Sequence, residues 1–163
     1  MSDPSVKVCK IFKLQDLVYA GVYDLVCICE TWLNDMVLSS ELLPGYSIFG
    51  RDRACKTGGG VLIAVKSDLQ SIRRNYLERN DTEMVLVEIV TCSKSLLLYT
   101  FYRPLGSNNV DLNHLNSSLR SNSESSCVLV VSDFNIPAFD WTDSSSPVNI
   151  GGNVICDNFC DLM

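Results

Sequence analysis

Four side chains that can bind metal, accept protons or donate hydrogen bonds stand where apolar segments of the sequence end. Glu30 follows YDLVCIC, Tyr102 ends SLLLYTFY, and Asp133 and Asn135 follow CVLVVS. Carboxylate oxygens bind hard divalent cations and accept protons, whereas amides and phenols donate hydrogen bonds to anionic oxygens. Function in sheet proteins commonly collects at one end of the sheet, so these positions predict a site there.

The spacing of the last pair favours a joint role but leaves a structural alternative. If the chain stays extended through Phe134, Asp133 and Asn135 project to the same side and Phe134 faces the core. The alternative is an Asx turn with no chemistry. For Glu30 the alternative is a first-turn helix acid or a solvated loop residue, and for Tyr102 an ordinary strand end.

Hydrophobic periodicity predicts the elements that position these residues. Helices are predicted at residues 11–18, 112–119 and 154–162. Strands are predicted at residues 23–29, 61–65, 83–90, 95–104 and 127–131, with another short strand after the Pro44-Gly45 turn. Residues 83–104 resemble an antiparallel hairpin, and residues 23–29 are apolar on both faces, which predicts a central strand. Together these elements predict an α/β or α+β layered domain.

Length and charge limit the class of protein. A chain of 163 residues is close to the size of one domain. The formal net charge of -6 does not attract a polyanion, so a phosphate-containing substrate must be held locally, for example by a divalent cation. The sequence has no apolar stretch that predicts a membrane span and no signal-peptide pattern. We therefore expect an intracellular protein, nuclear or cytoplasmic.

The eight cysteines of the sequence favour free thiols over a disulfide framework, since the expected compartment is reducing. A structural zinc site is the alternative, because Cys27 and Cys29, like Cys156 and Cys160, place two sulfurs on one face. Neither pair has the usual C-x2-C spacing, and His114 is the only histidine. The cysteines inside apolar segments are therefore predicted to be buried free thiols: Cys27, Cys29 and Cys127.

Three consecutive glycines, Gly58–Gly60, precede the strand predicted at residues 61–65. A phosphate-binding loop is one interpretation, but that motif requires G-x4-G-K-[ST] followed by a helix. A turn with close backbone approach is the interpretation that the strand-like continuation favours.

Four segments, in their order along the chain, carry a family resemblance: CICETWL, GGGVLIAVK, YTFYRP and VLVVSDFNIPAFDW. They resemble the endonuclease/exonuclease/phosphatase superfamily, and particularly the endonuclease domain of non-LTR retrotransposons, over about residues 14–162. The resemblance implies a four-layer α/β sandwich, with two mostly antiparallel sheets and outer helices. It also implies metal-dependent hydrolysis of DNA phosphodiesters with Mg²⁺ or Mn²⁺.

The resemblance also implies a role for each candidate residue. Glu30 matches the metal-binding glutamate of the family, and Asp133 matches the aspartate that orients or activates the attacking water. Asn135 matches the amide that binds the scissile phosphate, and Tyr102 matches a tyrosine that contacts phosphate. The implied partners are DNA and, in a longer reading frame, a downstream reverse transcriptase domain.

The sequence departs from the family pattern at both ends. Val6 falls where a first strand should deliver a metal-binding Asn, and no histidine follows Asn135 to form the late Ser-Asp-His motif. Ser132 replaces the glycine common before DFN. Residues 1–163 are therefore expected to form a partial domain that is inactive by itself. The alternatives are a non-catalytic remnant or binding fragment of the same fold and a phosphodiesterase acting on phosphoinositides or other small substrates.

Overall fold

Strands that are largely buried on both faces and two longer helices account for most of the residues that the structure, a computed structural model, describes. These residues are 4–33, 39–53, 58–92, 94–107, 109–121, 127–136, 139–140 and 148–149. The first half of the chain forms α1 (Pro4–Gly21), β1 (Leu25–Cys29), α2 (Ser39–Leu42), β2 (Tyr46–Arg51), β3 (Val61–Lys66), β4 (Ser71–Arg73) and a 3-10 turn (Asn75–Leu77). The second half forms β5 (Glu83–Val90), β6 (Ser95–Tyr102), α3 (Val110–Arg120), β7 (Cys127–Asp133), β8 (Phe139–Asp140) and β9 (Val148–Asn149).

The strands form two main sheets and one short ribbon. The first sheet has the antiparallel order β1-β3-β2, and the second has the order β4-β5-β6-β7. Within the second sheet β6 and β7 run parallel, because α3 carries the chain back between them, whereas the other pairs are antiparallel. Strands β8 and β9 pair with each other.

Alternation along the central strands divides the core into three clusters and the domain into four layers. The cluster between the two sheets contains Val61, Ile63, Val65, Val85, Val87, Ile89, Leu98 and Tyr102. The cluster between the first sheet and the first two helices contains Val18, Leu42, Leu43, Leu62 and Ala64. The cluster between the second sheet and α3 contains Met84, Leu86, Leu97, Tyr99, Phe101, Leu112, Leu115 and Ile136. This arrangement confirms the predicted sandwich of two mostly antiparallel sheets with outer helices.

The prediction that residues 23–29 form a central strand is wrong. Strand β1 lies at the edge of the first sheet and pairs with β3 alone among the described strands. Its two apolar faces have a different cause: Leu25, Cys27 and Cys29 pack against the core between the sheets, while Val26 and Ile28 pack against the helix-side core. An edge strand covered on both faces therefore has the same composition as a central one.

The cysteine predictions are partly confirmed. Cys27 and Cys29 are free and half-buried, but Cys127 is exposed at the start of β7, so its predicted burial is wrong. The described residues contain no group of three metal-ligating side chains, and Cys156 and Cys160 lie outside them, as does the helix predicted at residues 154–162. Across the described part of the chain, no helix is long and apolar enough to cross a membrane.

The buried carboxylate of Glu78 joins the two sheets on the side of the sandwich where β4 lies. Glu78, whose side chain is 1% exposed, accepts hydrogen bonds from Arg51 of β2 (2.7 Å) and Arg73 of β4 (2.9 Å). The backbone N–H of Leu86 donates to its other oxygen at 3.0 Å. Burial raises the pKa of Glu78, but these donors outweigh burial and leave the pKa below its ordinary value.

Candidate active site

The candidate site begins with a hydrogen bond between the two sheets. The Tyr102 hydroxyl, at the end of β6, donates to Oε1 of Glu30, the residue that follows β1. Tyr102 is buried because its ring belongs to the core between the sheets, whereas Glu30 is exposed. The sandwich therefore brings together two predicted site residues that lie 72 positions apart in the sequence.

Asp133 lies beside Tyr102, because parallel pairing of β6 and β7 puts these two residues in register. Its side chain is exposed at the strand end. Asn135 lies two residues further on, but its φ of 48° shows that the chain leaves the extended conformation. The same-side projection predicted from an extended chain therefore does not apply, although Phe134 faces the core and its ring packs 5.8 Å from that of Phe101.

The glycine loop supports the segment that carries Glu30. The backbone N–H groups of Thr31 and Trp32 donate to the carbonyl oxygens of Gly60 (3.2 Å) and Gly59 (2.9 Å). Glu30 itself has a φ of 55°, so the chain turns sharply as it leaves β1. Strand β3 follows the glycines directly, as the turn interpretation predicts and the phosphate-loop alternative does not. The glycine loop therefore supports the backbone that follows Glu30 through hydrogen bonds.

A salt bridge behind this loop connects it to Tyr102. Arg53 pairs with Glu83, and the second oxygen of Glu83 accepts the N–H of Gly60 at 2.5 Å. The Arg53 guanidinium also lies over the Tyr102 ring, 5.6 Å from its centroid. The sequence reasoning missed both charged residues. Their position beside the glycine loop, in GRDR and at the start of the 83–90 strand, was the available signal.

The environment of Tyr102 keeps its phenol protonated. The hydrogen bond to Glu30, followed by burial and the negative charge of Glu30, raises the pKa of Tyr102 to about 12, although Arg53 acts in the opposite direction. The hydroxyl is thus a hydrogen-bond donor at neutral pH. It orients one oxygen of Glu30, and since Glu30 is exposed, its other oxygen is open to a ligand.

A cavity of about 500 Å³ adjoins Asp133 and Asn135 and is lined elsewhere mainly by the apolar side chains of Leu105, Val130, Phe134 and Ile136. His114 is not among the residues that line this cavity. It lies in α3, where Nδ1 is 2.6 Å from the Thr82 hydroxyl. The structure thus gathers Glu30, Tyr102 and Asp133 at one end of the sandwich, with Asn135 in the turn beyond.

Replacing Gly59 with alanine is expected to lower the free energy of unfolding by about 2–4 kcal/mol. Gly59 has a φ of 76°, which strains any residue with a Cβ. That Cβ would also lie 2.5 Å from Oε2 of Glu83 and 2.6 Å from Nε of Arg53, so the salt bridge has to move. Urea unfolding of the variant and the wild type measures the difference.

Gly45→Ala is the matched control for this substitution. Gly45 has a φ of 86°, but a Cβ there meets nothing within 4 Å. Gly45→Ala therefore has the backbone strain without a steric clash, and its free energy of unfolding is expected to fall by about 1–2 kcal/mol. If the two variants lose equal stability, the close packing of Gly59 against the salt bridge is not significant.

A family model described as the Endonuclease/Exonuclease/phosphatase family matches residues 5–152. That match covers most of the chain and all four predicted site residues. The chain belongs to the endonuclease/exonuclease/phosphatase family. A search among curated proteins found no significant match.

Solved structures of the endonuclease/exonuclease/phosphatase fold are similar to this chain. The endonuclease domain of TRAS1, a telomere-specific non-LTR retrotransposon, has a TM-score of 0.66 at 16% identity and covers 93% of this chain. TDP2 from C. elegans has a TM-score of 0.59 at 12% identity and covers 82%. The mannosyl-6-phosphatase Bt3783 of Bacteroides thetaiotaomicron has a TM-score of 0.56 at 16% identity and covers 85%.

The chain spans only part of each of these endonuclease/exonuclease/phosphatase structures. It covers 64% of the TRAS1 domain, 44% of the C. elegans TDP2 chain and 60% of the Bt3783 chain. At identities this low, the likeness establishes the shared fold.

Proposed function

We propose that this chain is an endonuclease domain of the retrotransposon type that hydrolyses DNA phosphodiesters with the help of a divalent cation. We further propose that residues 1–163 retain this activity, although the departures at both ends of the sequence predict inactivity, because Glu30, Tyr102 and Asp133 still meet. The observation that carries the proposal is the meeting of Glu30, Tyr102 and Asp133 at one end of the sandwich. The likeness to the TRAS1 endonuclease domain supports DNA as the substrate.

Phosphodiester hydrolysis requires a positioned nucleophile and stabilisation of negative charge on the phosphate oxygens. Asp133 is exposed at the strand end and accepts a proton from the attacking water. The amide of Asn135 is a donor for a phosphate oxygen. The phenol of Tyr102, whose single O–H hydrogen is donated to Glu30, orients that carboxylate beside the phosphate.

Glu30 is the residue in this proposal that holds the divalent cation, Mg²⁺ or Mn²⁺. Its carboxylate is a hard oxygen ligand, and it is exposed with one oxygen fixed by Tyr102, which suits a cation that keeps several water ligands. When bound, the cation offsets the charge that develops on the phosphate. It also compensates for the net charge of -6, which repels DNA.

The experiment is nicking of supercoiled plasmid DNA by the purified chain, with Mg²⁺ and with EDTA, beside the Asp133→Asn protein. Nicking that requires the cation and is lost in the variant supports the proposal. Nicking that persists in EDTA or is unaffected by the substitution contradicts it. A soluble phosphoinositide, assayed in parallel, tests the small-substrate alternative.

We also propose that residues 1–163 are part of a longer domain in a reading frame that encodes a reverse transcriptase. Coverage of 64% of the TRAS1 endonuclease domain supports this. Sequencing transcripts beyond the codon for Met163 is the test. A downstream Ser-Asp-His motif followed by reverse transcriptase motifs is the expected result, and a stop codon in the transcripts contradicts it.

A non-catalytic remnant is the second candidate function, and the exposed edge of the second sheet favours it. Among the described strands, β7 ends the order β4-β5-β6-β7, and its apolar residues Val128, Leu129 and Val131 are exposed. Uncharged edge strands of this kind pair with other chains unless they are blocked.

In that case the chain is expected to self-associate, and Leu129→Lys is expected to shift it toward monomer, because a charged residue at a sheet edge opposes pairing. Light scattering coupled to size-exclusion chromatography measures the mass of both proteins. Ile72→Lys is the matched control, since Ile72 is also an exposed apolar residue in a strand, β4, at the opposite edge. A monomeric wild type contradicts this prediction.

A further inference from the structure

Arg103 is a buried arginine directly after Tyr102, with only 2% of its surface exposed. Its Nη1 donates to the carbonyl oxygens of Asn135 (3.0 Å) and Phe134 (3.4 Å). Its Nη2 donates to the carbonyl oxygen of Ser107. One guanidinium therefore joins the turn that follows β6 to the turn that follows β7.

The backbone of Arg103 reinforces this connection. Its N–H donates to the carbonyl oxygen of Asp133 at 3.0 Å, and its own carbonyl oxygen accepts Nδ2–H of Asn135 at 2.9 Å. Arg103 thus contacts three consecutive residues of the other turn, Asp133 to Asn135, through side chain and backbone. This set of bonds fixes which way the Asn135 amide points.

The conformation of Asn135 explains why such support is required. Its φ of 48° lies in the left-handed region, which costs a residue with a Cβ about 1–2 kcal/mol. Burying a guanidinium is also costly unless its donors are paired. The hydrogen bonds offset both costs when the planar fork of an arginine meets the carbonyl oxygens of the turn, a geometry that a lysine ammonium does not reproduce.

We propose that Arg103 is a positioning residue that holds Asn135 in its left-handed conformation and thereby orients its amide toward the substrate phosphate. One Nδ2 hydrogen is bonded to the Arg103 carbonyl oxygen, which leaves the second for a phosphate oxygen beside Asp133. Arg103 acts through Asn135 and does not contact substrate. The catalytic part of this inference rests on the proposed function, whereas the conformational part does not.

The conformational part is tested by hydrogen exchange of peptides that cover residues 132–136, in the wild type, Arg103→Lys, Arg103→Met and the control Arg74→Met. Arg74 pairs with Glu88, away from the Asn135 turn. We expect slow exchange in the wild type and Arg74→Met, and exchange at least ~10-fold faster in both Arg103 variants. The wild type is informative even if the Arg103 variants fail to fold. If its residues 132–136 exchange as fast as the turn at residues 79–81, the inference is overturned.

The catalytic part is tested by the kinetics of nicking in the same proteins. Misplacement of a substrate-binding group by about 1 Å lowers rates by about 10²-fold, so we expect kcat to fall about 10- to 100-fold in Arg103→Lys while KM for DNA changes little. Equal circular dichroism and thermal unfolding exclude loss of folded protein as the cause. Unchanged kcat despite fast exchange overturns the catalytic role. If the wild type does not nick DNA, the proposed function fails, and the exchange experiment still decides whether Arg103 holds the turn.

Discussion

Asp133→Asn is expected to nick supercoiled DNA about 10²- to 10⁴-fold more slowly than the wild type, the range that loss of a general base produces. Asparagine keeps the size of the side chain but accepts a proton far less readily than a carboxylate. The residue is exposed, and its in-register position beside Tyr102 depends on backbone pairing, so the site geometry survives the substitution. Initial rates at saturating Mg²⁺ measure the loss.

Two observations decide whether the loss is chemical. Thermal unfolding of Asp133→Asn is expected to match that of the wild type, since exposed substitutions change stability by about 0.5 kcal/mol or less. Asp68→Asn is the matched control, because Asp68 is an exposed acid whose one ion pair within the described residues is with Lys66, 3.7 Å away at the end of β3. A control that loses as much activity as Asp133→Asn contradicts a specific role for Asp133.

Glu78→Gln is expected to lower the free energy of unfolding by about 3–5 kcal/mol, the cost of removing one partner from a buried ion pair. Arg51 and Arg73 then remain without the carboxylate that both contact, and the N–H of Leu86 meets an amide that supplies only one acceptor oxygen. Because Arg51 and Arg73 belong to different sheets, the damage extends to their packing. Urea unfolding at neutral pH measures the change.

The loss should depend on pH. The pKa of Glu78 is lower in the folded than in the unfolded protein, so its contribution is fully present above the unfolded pKa. It is lost as pH falls below the ordinary glutamate range, toward and through the folded pKa. The stability difference between wild type and Glu78→Gln is therefore expected to shrink on acidification below about pH 4.5.

Glu88→Gln is the matched control for this prediction. Glu88 also pairs with an arginine, Arg74, but the side chains are 15% and 33% exposed, so solvent screens the interaction. We expect a loss of about 1 kcal/mol or less. Equal losses in the two variants contradict the view that burial makes the Glu78 cluster important.

The sequence predicts the elements well because their signals are local. Continuous apolar runs bounded by polar or turn residues identify β3, β5 and β6, and the spacing of Ile11, Leu14 and Val18 identifies α1, which the structure extends back to Pro4. The error at β1 arose because composition reports how many faces of a strand are covered and does not report how many of its edges are paired. Edge position is a property of the whole sheet.

The residues of the candidate site also fall into two groups, those that a local sequence signal predicts and those that it does not. Glu30, Tyr102 and Asp133 could be predicted because each ends an apolar strand, and strand ends meet at the edge of a sandwich. Arg103 could not, since a charged residue that is buried against carbonyl oxygens has the same sequence signal as a solvated one. The turn at Asn135 could not be predicted from strand periodicity, because it depends on hydrogen bonds from Arg103.

The distance in sequence between Glu30 and Tyr102 has a consequence for folding. The β5–β6 hairpin joins neighbouring strands and closes a short loop, whereas the hydrogen bond between Glu30 and Tyr102 closes one of 72 residues. Closing longer loops costs more chain entropy, so contacts of low sequence separation form early and the two sheets dock late. The candidate site therefore forms only once the two sheets have docked, and a nascent or partly unfolded chain has its sheets without that site.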